Sequence, residues 1–233
     1  MKLKDIYITI SRMVRKDSTG GIFTIDDFNR YVQLHSLSRF YHNVSLLERD
    51  DTVNSRMERY MREEIKSSVS EVETIPDSFE KHLMMRVLAG ANRRPVDLIT
   101  RKEFEGLTHL TRPTTKNPVV YYSEGSYHVV PHGVNVQYHY LVKPSVPFLD
   151  YYYDANRNIV YFEAGAGVYT LDTGEESRDG ATSGTVTPLT VEMDMHEEDQ
   201  QAVMSMLLRQ LGVKTMNDAA FQYGTQEQIR SER

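Results

Sequence analysis

Three histidines stand close enough along the chain to raise metal chemistry: His128 and His132, spaced H-x-x-x-H, and His139 beyond them. On a strand, residues an even number apart share a face, so the first two could converge on one ion. Pro131 interrupts that alternation and no carboxylate follows at ligand spacing, so the pattern predicts ordinary strand and turn histidines. Asp154-Ala-Asn156-Arg-Asn158 opens like a calcium loop. Its sixth position, where such a loop needs glycine for a sharp turn, is Ile159, and the run reads as a hairpin loop instead. Gly165-Ala-Gly167 lacks the third glycine and the following helix of a phosphate loop, which leaves a turn or bulge. Ser123-Glu-Gly-Ser126 is not a nucleophile elbow, and nothing gathers Ser, His and Asp into a triad. With no cysteine, disulfides and thiolate metal sites are excluded. No catalytic, cofactor-binding or metal-ligating residue is predicted, and the chain is not expected to be an enzyme.

The specific local signals are architectural. Thr24 with Asp27, and Thr100 with Glu103, each place a hydroxyl three residues before an acid, with Phe23 and Phe28, or Ile99 and Phe104, flanking. That is a capping box with a hydrophobic staple, and it predicts two helix starts. Before the first box, Ile6, Ile10, Met13 and Val14 predict a helix over 4–16, ended by Asp17-Ser-Thr-Gly-Gly21. After it, Ile25, Phe28, Val32 and His35 share one face that Tyr31, Leu34 and Tyr41 widen. Val53, Met57, Tyr60, Met61, Ile65 and Val69 predict a third helix over 52–69.

From about Pro76 the texture becomes β-like. Residues 83–88, 119–122, 127–130, 136–142, 148–153 and 159–162 are rich in Val, Tyr and Phe, and ten of the fifteen tyrosines lie between 121 and 169. A short helix runs from Thr100 to about His109, and the Gly/Ser/Thr/Asp-rich stretch 171–187 predicts a long exposed loop. A closing helix over 196–211 is ended by Gly212, followed by a short amphipathic piece, 216–223, and a polar tail. The expected fold is α+β. N-terminal helices (1–75) and a C-terminal helix and tail (191–233) pack together, and an antiparallel β sandwich or barrel (76–190) lies between them.

Composition suits a globular protein, with 39% hydrophobic and 26% charged residues. No apolar run of about 18 residues predicts a membrane span. Residues 1–112 carry a net charge of +2 and 113–233 a net of −8. An acidic distal half opposes a role in gripping nucleic acid, which relies on Lys and Arg at phosphates. Arg93-Arg94 reads as a solvated turn before Pro95.

Taken in order, Phe23-Thr-Ile-Asp-Asp-Phe-Asn29, Thr100-Arg-Lys-Glu-Phe104, Thr111-Arg-Pro-Thr114 and Asn117-Pro-Val-Val-Tyr-Tyr122 are one set of motifs. Val130-Pro131, Leu141-Val-Lys-Pro144, Pro147, Leu207-Leu-Arg-Gln-Leu-Gly-Val213 and Gln222-Tyr223 continue it. The set resembles virion structural proteins of crAss-like and related tailed bacteriophages, over nearly the whole chain. The resemblance implies a non-enzymatic virion protein, assembled in the host bacterial cytoplasm. It further implies a homo-oligomeric ring or adaptor in the head-to-tail connector or tail. Its neighbours would be portal or other tail-ring proteins, with DNA passing through unbound and no membrane or cofactor involved. Tyr151, Tyr153, Phe221 and Tyr223 are the candidate subunit interface. The alternative of another class is a small carbohydrate- or peptide-binding β module, suggested by exposed tyrosines beside a polar loop.

Overall fold

The structure, a computed structural model, describes residues 2–14, 23–47, 49–66, 72–74, 78–89, 92–107, 113–123 and 126–214. Its elements make an α+β protein with helices at the two ends and mainly antiparallel sheets between. The chain divides into two compact units: residues 1–56 with 144–233, and residues 57–143.

In the first unit, α1 (Leu3–Val14) buries Leu3, Ile6, Tyr7, Ile10 and Val14, a stripe at helical spacing. Helix α2 (Ile25–Leu46) starts at the Thr24 box, and its staple closes with Phe23 edge-on to Phe28, ring centres 6.4 Å apart. A short α3 (Asp51–Met57) follows, and the unit resumes after residue 143. Helix α5 (Glu197–Lys214) then lays Val203, Leu207, Leu208 and Leu211 into the core shared with α1 and α2. Each such side chain, fully removed from water, contributes about 1.5–3 kcal/mol. Asn29 keys the returning chain to α2. Its Nδ2 donates to the Leu149 carbonyl at 3.0 Å and its Oδ1 accepts from the Leu149 N–H at 2.8 Å, the pair of bonds that a neighbouring strand would supply.

The second unit holds two four-stranded sheets. One has the order β1 (Met61–Lys66), β8 (Asn135–Val142), β3 (Phe79–Ala89), β4 (Asn92–Pro95). The other runs β2 (Val72–Thr74), β7 (Ser126–Val130), β6 (Val119–Ser123), β5 (Asp97–Ile99), the last pair parallel. Met85, Val87, Val136, Tyr138 and Tyr140 of the first sheet and Val120, Tyr127 and Val129 of the second share one apolar cluster, as in a sandwich. No closed barrel forms among the described residues. A short helix, α4 (Arg101–Glu105), lies on the β5-to-β6 connection.

Several expectations need correction. The third helix ends at Met57, and after the 3-10 turn Glu58–Tyr60 the chain is strand β1, in register from Met61 opposite Leu141 to Lys66 opposite Val136. Its helical-looking spacing is overridden by pairing with β8. Gly212 does not end α5 but is buried within it. Arg93 and Arg94 lie on β4, opposite Leu88 and Val87, rather than in a turn. Residues 171–187 are not a plain exposed loop. They contain β12 (Glu176–Ser177), paired with β9 (Tyr151–Tyr153), and β13 (Thr185–Val186), paired with β11 (Tyr169–Thr170). Strand β10 (Ile159–Tyr161) completes the sheet of β9 and β12. The compact units also break at 56/57 and 143/144 rather than at 75 and 190, because β1 belongs with β8 while Phe148–Val191 and the small sheets follow the helices. Helix α4 is over by Gly106; residues 108–112 and the piece 216–223 lie outside the described residues.

Candidate functional site

Both capping boxes form. The Asp27 N–H donates to Thr24 Oγ1 at 3.1 Å and the Thr24 N–H to Asp27 Oδ2 at 3.4 Å. At the second box the distances are 3.2 Å to Thr100 Oγ1 and 2.7 Å to Glu103 Oε2. The Thr100 N–H and then its hydroxyl hold the Glu103 carboxyl below its ordinary value. These residues cap the starts of α2 and α4.

The three histidines do not converge. His128 stacks on Tyr121 at 4.7 Å and 2°, and Tyr121 stacks in turn on Phe104 of α4 at 4.7 Å. His132 is exposed in the turn between β7 and β8. His139 sits on β8 beside Glu63 and Met84 in register, its Nε2 buried without a hydrogen-bond partner among the described residues. His82 on β3 is similar: burial, then the charge of nearby His139, pushes its pKa below the usual histidine value. No group of three His, Asp or Glu suited to a metal ion occurs among the described residues.

Several of the described carboxylates hold the fold together. The Asn158 side-chain amide donates to Asp154 Oδ2 at 3.1 Å and the N–H groups of Asn158 and Asn156 donate to its Oδ1, both at 2.8 Å; these bonds, the side-chain one first, hold its pKa down and make the hairpin between β9 and β10. Arg157 takes the positive φ of 64° there. Gly165 turns the chain after β10 at φ 75°. Buried Asp150 accepts from the N–H groups of Tyr151 and Leu189, and buried Glu175 from the hydroxyl of Tyr169 and the N–H of Asp172. Glu64 accepts from the hydroxyls of Tyr138 at 2.6 Å and Tyr140 at 2.7 Å, which lower its pKa; burial first and this contact second push Tyr140 up to about 12. Asp199, in the first turn of α5, receives Arg39 Nε at 2.8 Å, with Arg56 3.7 Å away and also bonded to Glu198 at 2.6 Å.

Of the candidate interface residues, Tyr151 is 8% exposed in the core of the first unit and Tyr153 packs against that core. Phe221 and Tyr223 lie outside the described residues. Two apolar surfaces that sequence reading missed are open instead. In the first unit, Tyr31, Leu34 and Leu37 of α2, the segment Pro144–Pro147 and Gln210 line a groove of about 660 Å³, with Leu34 57% and Val146 60% exposed. In the second, Phe79, His82, Leu98, Tyr122 and Tyr127 line a shallower hollow of about 440 Å³, with Leu98 and Tyr122 about half exposed. The one available signal was the surplus of apolar residues on α2 beyond its core stripe.

No protein-family model matches the chain, and no curated protein matches it in sequence. No helix among the described residues is long and apolar enough to cross a membrane.

Proposed function

We propose that the chain is a non-enzymatic structural protein of a tailed-phage virion, forming an oligomeric ring in the head-to-tail connector or tail. The ordered motifs from Phe23 to Tyr223 suggest the class. The observation that carries the reading physically is the end of the second sheet. Strand β5 lies last in the order β2-β7-β6-β5, and Leu98 on it and Tyr122 on β6 expose a continuous apolar face. An edge strand with exposed apolar groups is a template for another chain, and a ring needs such a patch to meet a different surface of the next copy. Charge is compatible with a conduit: residues 1–56 with 144–233 carry a net of −7, and residues 57–143 a net of +1. An acidic lumen would let DNA slide, where a basic one would hold its phosphates.

Light scattering after size exclusion, with negative-stain imaging of the full chain, tests this. Closed rings are expected, and Leu98→Glu with Tyr122→Glu should return them to subunits. A monomer at every concentration, unchanged by the two substitutions, would refute the ring. The carbohydrate- or peptide-binding module is favoured by the same exposed Tyr122 beside the hollow. It would show instead as glycan or peptide binding by a monomer, abolished by Tyr122→Ala.

A further inference from the structure

Each sheet of the 57–143 unit ends in two strands that, among the described residues, have no neighbour on their outer sides: β1 and β4 in one, β2 and β5 in the other. Val96 alone separates β4 from β5, so those two edges lie at one end of the sandwich, and β1 and β2 form the other. An exposed backbone edge recruits another chain unless it is blunted. Both edges of the first sheet are blunted. The Val96 N–H donates to the Met85 carbonyl at 3.0 Å, so by the alternation of an antiparallel ladder the next position, Pro95, faces away from β3, where it offers no N–H. On β1, Arg62, Glu63, Glu64 and Lys66 are charged, four residues of six. The second sheet carries neither device: Val72-Glu-Thr74 and Asp97-Leu-Ile99 hold one charge each and no proline, and Leu98 is 45% exposed.

Strand β5 is parallel to β6, β6 antiparallel to β7, and β7 antiparallel to β2, so the two edges of this sheet run the same way. A two-fold axis beside β5 would pair it with its own copy and stop at a dimer, whereas β5 of one copy beside β2 of the next repeats until the rotation closes. Resting on the ring reading above, we propose that copies of this chain join head to tail through the second sheet, β5 pairing in parallel with β2 of its neighbour. Charge favours this occupant: residues 92–99, spanning β4 and β5, carry a net of +1 with Arg93 and Arg94, and residues 61–74, spanning β1 and β2, a net of −2. Two β5 ends brought together would instead set the Arg93-Arg94 pairs of both copies against each other.

The two strands are three residues each, so full pairing sets position 98 opposite position 73 of the neighbour, in line with Val120 and Tyr127 on one face of the sheet. Adjacent strands lie about 4.8 Å apart, within reach of a disulfide, whereas the same two positions within one chain are three strand spacings apart and beyond it. The absence of cysteine makes the test direct. Leu98→Cys, Glu73→Cys and the double variant are made in the full chain and oxidised with diamide, once thermal melts of the reduced proteins match the parent. The double variant should give a ladder of interchain multimers and a mixture of the two singles a mixed dimer, each about ten-fold more than either single gives alone, as held proximity demands. Dimers from Leu98→Cys alone, as abundant as the products of the double variant, would place two β5 edges together and overturn the head-to-tail junction. Closed rings with no crosslink in any variant would overturn this junction and leave the ring reading standing. A monomer by light scattering at every concentration would overturn both.

Discussion

The buried ion pair between Arg39 and Asp199 allows a sharp test of what holds α5 to α2. The two side chains are 5% and 4% exposed and meet at 2.8 Å, so neither charge is screened by water when its partner is removed. Asp199→Leu leaves the Arg39 guanidinium buried, because Arg56 retains Glu198; the expected loss is about 3–5 kcal/mol. Arg39→Met is milder. Asp199 still has Arg56 at 3.7 Å and the positive end of α5, the latter worth about 0.3–1 kcal/mol, so the loss should be about 2–4 kcal/mol. The double variant removes both charges and fills the space with apolar atoms, and should fall within about 1.5 kcal/mol of the parent. The chain has no tryptophan, so urea unfolding is followed by far-UV circular dichroism. With a slope near 2 kcal/mol/M, Asp199→Leu lowers the midpoint by about 2 M in the transition of the helical unit. Single losses below about 1 kcal/mol, as for a surface pair, or a double variant as unstable as the two singles summed, would refute the reasoning.

Thr24→Ala should cost about 1–2 kcal/mol, since it frays a helix that carries Phe28 and Val32 into the core, whereas Thr100→Ala should cost about 0.5 kcal/mol, because α4 is five residues long and buries none; denaturation midpoints check both. Burial lowers the His82 pKa, so between the ordinary histidine value of 6.5 and its folded value the unfolded chain holds a proton that the folded chain does not. Stability of the 57–143 unit therefore falls as pH drops below about 6.5, by up to about 1.4 kcal/mol per pH unit, and His82→Phe should flatten that slope; an identical slope in the variant would remove His82 as its source.

Much of the fold is legible in sequence because the signals are local. The Thr24 and Thr100 boxes mark helix starts with two reciprocal bonds each, and Val120, Val129, Val136, Tyr138 and Tyr140 alternate as sandwich strands must. The misread segment 61–66 shows where locality ends. Met61 and Ile65 fit a helix face as well as a strand face, and what decides is β8, more than seventy residues away, whose Tyr138 and Tyr140 hydroxyls claim Glu64. Polar composition likewise hides the structure of 171–187, where Glu175 and Ser177 are buried but satisfied by Tyr169, Asp172 and Ala181. The open surfaces were illegible for a related reason. Composition cannot tell Tyr151, which faces the core, from Tyr122, which faces solvent; only the packing of distant segments does.

The break of the first unit at residues 56 and 144 has a consequence for biosynthesis. Residues 57–143 are an insertion whose two ends are brought side by side where Met61 pairs with Leu141, so this module is complete once β8 has left the ribosome. Helices α1 and α2 precede it in the chain but cannot close their core until Leu207 and Leu211, which follow it, have been made. Helices made before the module thus mature after it, and during that interval Ile6, Ile10, Phe28 and Val32 present an unfinished apolar face to which a chaperone or a second nascent copy has access.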